Sequence, residues 1–147
     1  VPDQQFDEVR ASCKPMERRL LQVAVLLAGI VPVSAGLAGV LLGPGVAGGG
    51  GGTDLDSHVR YLSGLLLGIG LTFWSLVPRI ERHTALFRAL TLIVFIGGLG
   101  RLLGVFAAGT PSAPMKAALA MELVVTPLLC WWQRRVVRHA TPRLAML

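Results

Sequence analysis

Leu92-Ile-Val-Phe-Ile-Gly-Gly-Leu-Gly-Arg-Leu-Leu-Gly104 is an apolar stretch lined with glycine, and a single arginine, Arg101, interrupts it. Farther along, a second apolar run carries one acid, Glu122. Both runs read as helices, and the two charges read as partners inside a membrane. The composition agrees. The 147 residues could form one soluble domain, but 53% are hydrophobic, only 15% are charged and mean hydropathy is +0.65. Soluble domains carry about 25% charged residues. There is too little polar surface here to cover a core in water, so the solvent is lipid.

Net charge is +6, which in a soluble protein would suggest nucleic acid. Here the basic residues sit between apolar runs and form no continuous patch. The tendency of cytoplasmic loops to collect arginine and lysine explains them, and no nucleic-acid partner is expected. The two cysteines, Cys13 and Cys130, make no disulfide framework.

Four apolar runs are expected to cross the bilayer, at about residues 20–42, 59–77, 86–108 and 116–134, since a spanning helix needs roughly 20 residues. A polar segment, 1–19, precedes them as a short interfacial helix or a loose tail, and a basic tail, 137–147, follows. The first run is too long for a signal peptide. Pro32 is expected to bend it, and Gly29, Gly36, Gly39 and Gly43 give it a thin face for close packing. Residues 43–57, with the glycine run 48–52, read as a loop. Gly64 and Gly68 follow Arg60 at four and eight residues, and Gly97, Gly98 and Gly104 lie three or four from Arg101. These five glycines are expected to be helix-packing positions. Trp131 and Trp132 end the fourth run as an interfacial belt would.

Basic residues cluster before the first run, between the second and third, and after the fourth. Both termini are therefore expected in the cytoplasm. That topology puts Arg101 and Glu122 at one level, each roughly 10 Å below the outer surface at about 1.5 Å per residue. Arg60 begins the second run on the same side, with Asp56 and His58 just before it. A lone charge in lipid costs at least about 2.5–3.5 kcal/mol, and pairing removes much of that. One reading is a charge pair that fixes helix register. The other is a ligand-binding pocket of Arg60, Arg101, Glu122, His58 and Asp56, gripping an anionic headgroup or carboxylate, with Asp56 able to offset the excess positive charge.

Other chemistries find no residues to carry them. The histidines lie near run ends, not inside the helices where a haem would need them. Asp54, Asp56 and His58 make a weak metal set, no zinc spacing occurs, and no motif frames a nucleophile with a base. No cofactor, metal or enzyme activity is expected.

Asp56-Ser-His-Val-Arg-Tyr-Leu-Ser-Gly64, Gly97-Gly-Leu-Gly-Arg-Leu-Leu-Gly104, Gly109-Thr-Pro111, Glu122-Leu-Val124 and Trp132-Gln-Arg-Arg135 together resemble a bacterial family of small four-helix membrane proteins. That family is catalogued only as a domain of unknown function. The resemblance covers roughly residues 20–136 and implies four spans in the bacterial inner membrane, with no established role for Arg60, Arg101 or Glu122. The expectation is an all-α integral membrane four-helix bundle. Its function is expected to be that of an accessory or stabilising subunit in a larger membrane complex, such as a transporter or respiratory assembly. The alternative is a self-contained protein that binds or transports lipid or small anions. Membrane lipids and another membrane protein are the expected partners.

Overall fold

The structure, a computed structural model, describes the backbone of residues 2–47 and 52–140, with side chains over 15–46 and 52–138. Cys13, most of the glycine run 48–52 and the end of the basic tail lie outside the described side chains. Among the described residues every element is helical: α1 Pro2–Leu42, a 3-10 turn Gly43–Ala47, α2 Thr53–Leu76, a 3-10 turn Val77–Arg79, α3 Thr84–Ala108, α4 Ala113–Ala120, a π turn Met121–Val125, and α5 Thr126–Ala140. Counting α4, the π turn and α5 as one helix, four helices are long and apolar enough to cross a bilayer: Pro15–Val46, Thr53–Arg79, Thr84–Ala108 and Ala113–Arg138. Many large apolar side chains face outward, among them Leu41, Leu103 and Phe106, the last 80% exposed. Soluble monomers rarely expose apolar patches on that scale. This is a multi-pass membrane protein.

Two compact units divide the chain. One spans 25–77 and joins the C-terminal part of α1 to α2. Its helices meet through glycine. An added Cβ at Gly36 would lie 2.6 Å from the Leu67 backbone nitrogen and 2.8 Å from the Ser63 carbonyl oxygen. Gly39 makes room for the Ser63 hydroxyl, and Gly29 for the Trp74 indole, which donates to the Leu26 carbonyl at 3.0 Å. Gly70 of α2 lies against Val33. The thin face expected of α1 is therefore in use.

The other unit contains residues 1–24 and 78–147. Leu21, Ile80, Phe87, Leu90, Cys130 and Val136 form its apolar core. Gln133 is fully buried and donates to the Ile80 carbonyl and the Thr84 hydroxyl, both at 2.9 Å. Arg18 donates to the Pro78 carbonyl at 3.0 Å and pairs with Glu81 at 2.8 Å. Those bonds tie α1 and α5 to the 78–84 turn, and α3 runs along α5 and the π turn.

Two expectations need correction. Residues 1–19 are neither a short separate helix nor a tail, since α1 is continuous from Pro2 and passes through Pro15 and Pro32. Nor does the loop extend to 57. Helix α2 begins at Thr53, with Asp54 and Asp56 in its first turn. Aspartate there interacts favourably with the positive helix end, so polarity that resembles a loop is a helix start.

Candidate functional site

Arg101 and Glu122 meet. The arginine Nε lies 3.0 Å from one carboxylate oxygen and Nη2 lies 3.0 Å from the other, the parallel fork that guanidinium and carboxylate form best. The remaining nitrogen, Nη1, donates to the Met115 sulfur at 3.1 Å. The Glu122 side chain is 17% exposed and that of Arg101 34% exposed. The carboxylate is enclosed, while one edge of the guanidinium looks out of the unit.

Two local features aim Glu122. Gly98 of α3 is buried, and a Cβ there would stand 2.9 Å from the Glu122 Cβ and 2.8 Å from Leu123 Cδ2. Only a glycine lets α3 come this near. The second feature is the π turn, which puts an extra residue into the helix at Met121–Val125. Pro127 follows directly. Proline has no N–H, and its ring crowds the carbonyl four residues back, here Leu123. Widening the turn relieves the crowding, and the Thr126 hydroxyl donates to the Met121 carbonyl at 2.8 Å within it. Thr126-Pro127 so close to an intramembrane acid was the available signal, since π turns concentrate at functional positions.

Arg60 is held differently. Its Nε and Nη2 grip Asp56 in its own helix at 2.8 and 3.2 Å. Its Nη1 donates to the carbonyl of Val40 and, at 3.2 Å, to that of Leu41. Those carbonyls belong to the last turn of α1, which lacks helical donors. Gly43 ends that helix in the left-handed region at φ +59°, and a Cβ there would overlap the Asp56 carboxylate. Arg60 and Asp56 therefore close the end of α1. His58 is exposed and lies two residues from each of them, about 200° round the helix, so it does not join the pair. Among the described residues no three His, Cys, Asp or Glu side chains gather as a metal set.

Each guanidinium thus has its own carboxylate, and the unbalanced positive charge that favoured an anion pocket is absent from both pairs. Of the other glycines, Gly64 makes an ordinary 3.9 Å contact with Val40. Gly68, Gly97 and Gly104 do not pack within the described chain, where a Cβ would meet nothing within 4 Å, and Gly100 is equally open. On α2 the reason is helical phase. Each four-residue step advances the face by about 40°, so Gly64 and Gly68 drift away from Arg60. The residues that meet α1 are Ser63, Leu67, Gly70 and Trp74.

Residues 20–133 match the model for a domain of unknown function, DUF4345. The chain belongs to that family. The match takes in both arginines, both of their carboxylates, Gly98 and the π turn, so the DUF4345 region contains the whole geometry described. No curated protein and no solved structure matches the chain.

Proposed function

We propose that this protein is a non-enzymatic subunit of a larger membrane assembly, docked through the open glycine face of α3. The observation that carries the reading is the company Arg101 keeps. Gly97, Gly100 and Gly104 share one side of α3 within about 60° and stand open, and Arg101 borders them with one edge exposed. Glycine facing lipid contributes no packing and lowers helix propensity. Glycine facing another helix lets the two backbones approach. A partner helix on this side would also cover the exposed edge of the guanidinium, whose contact with hydrocarbon is costly.

The reading includes a bacterial inner membrane and cytoplasmic termini, supported by the basic clusters at 10–19, 79–88 and 134–143. The competing idea, an anion site shared by Arg60 and Arg101, is weakened because each is neutralised by its own carboxylate.

The test is purification from native membranes in gentle detergent, with the wild-type chain beside Gly100→Leu and Gly104→Leu. A stoichiometric membrane protein should accompany the wild type and be lost from both variants at unchanged melting temperature. A partner retained by both leucine variants would show that α3 is not the docking face.

A further inference from the structure

Helix α5 carries a second feature that neither arginine pair uses. Arg134 and Arg135 lie three and four residues after Trp131, Arg138 lies four and three after them, and the four line one cavity of about 350 Å³. A longer groove of about 390 Å³ adjoins it, lined mainly by Val125, Leu128, Leu129 and Trp132, with Glu17 of α1 at its edge. Trp131 and Arg135 border both, so the two lie side by side on α5. Leu128 and Trp131 are more than half exposed. Among the described residues, none of the three arginines has an ion-pair partner, and one carboxylate, Glu17, stands against their three charges.

We infer that this side of α5 is a binding site for a phospholipid with an anionic headgroup. The chemistry is divided along the helix as it is along the lipid. An acyl chain lies in the groove of valine, leucine and tryptophan. Trp131 sits at the boundary, where an indole has one apolar face and one polar edge. The phosphate meets the arginines, whose planar fork grips two of its oxygens and whose weak hydration lowers the cost of leaving water. Basic clusters that merely set orientation need no groove. Here the arginines and the apolar groove share Trp131 and Arg135, and this complementarity selects a lipid over a free anion or a protein. The site is separate from the glycine face of α3 and does not depend on the docking proposal.

The test places the full chain in phosphatidylcholine vesicles that contain a minority of bromine-labelled lipid. The label is on the acyl chains of either phosphatidylglycerol or phosphatidylcholine. Bromine quenches indole fluorescence on contact, and Trp131→Phe with Trp132→Phe supplies the Trp74 signal for subtraction. Brominated phosphatidylglycerol should quench Trp131 and Trp132 at severalfold lower content than brominated phosphatidylcholine. That preference should shrink clearly in each of R134Q, R135Q and R138Q, by at most about fivefold, the weight of one basic residue at an anionic surface. It should be unchanged in R79Q/R82Q. Single changes keep most of the basic tail, so insertion is preserved. Equal quenching by the two lipids, or a preference indifferent to the α5 arginines, would overturn the inference. So would inorganic phosphate that abolishes the preference by competing at the arginines, since the site would then take the anion without the lipid.

Discussion

The two units join their helices with a different balance of the same means. In 25–77, α1 and α2 touch backbone to backbone, because Gly36 sets no side chain between itself and Leu67. In the other unit, α3 meets the α4–α5 run through a buried glycine and a two-bond charge pair, with the π turn setting the angle. Arginine divides in the same way. Arg60 reaches from α2 to backbone carbonyls at the end of α1, and Arg101 reaches from α3 to a side-chain carboxylate. Where water is absent, helices gain little from hiding apolar surface, and they need close packing or polar bonds. This chain uses both in each unit, with glycine contacts more numerous in 25–77 and a charge pair joining α3 to the α4–α5 run in the other.

The comparison breaks most visibly at the charge pair. Glu122→Ala leaves Arg101 without its carboxylate and should cost about 3 kcal/mol, read as the loss of unfolding free energy in detergent micelles. The double change Arg101→Leu with Glu122→Leu should be far milder. Equal damage from single and double changes would mean that the pair is not what joins these helices. Next comes Gly36→Ala, whose methyl group collides with backbone that cannot rotate away. It should cost about 2 kcal/mol by the same measurement. Gly43→Ala should cost about 1–2 kcal/mol, from the left-handed backbone and from displacing the Asp56 carboxylate, and hydrogen exchange should show the α1 end opening first. The smallest effect belongs to Gly100→Ala. With open space around it, stability should hold or rise by up to about 1 kcal/mol. A clear loss there would mean that α3's open face already has a partner in the isolated chain.

The four spans were legible because span length and apolar run follow from bilayer thickness. So was the meeting of Arg101 with Glu122, because depth accumulates linearly at a fixed rise per residue. Rotation about the helix axis was harder to read. A small phase error grows with each step, and on α2 it is Leu67 and Gly70 that meet α1, while Gly68 stands open. The start of α2 was hidden because aspartates that favour a helix end also suit a loop. The π turn adds one residue to the count and shifts the phase of everything after it. Nothing short of the Thr126-Pro127 pair announced it.

The turn between α3 and α4 is short, with only Gly109–Ser112 between the helix ends. Its brevity bears on how the chain is made. The third span reaches the membrane first and carries an arginine whose counter-charge has not yet been synthesised. The fourth, with its acid, follows within a few residues of the turn. A span bearing a lone charge is poorly retained in lipid, and two spans with opposite charges at matched depth are retained together. The brief connection thus favours insertion of the last two spans together, as a hairpin whose two embedded charges cancel.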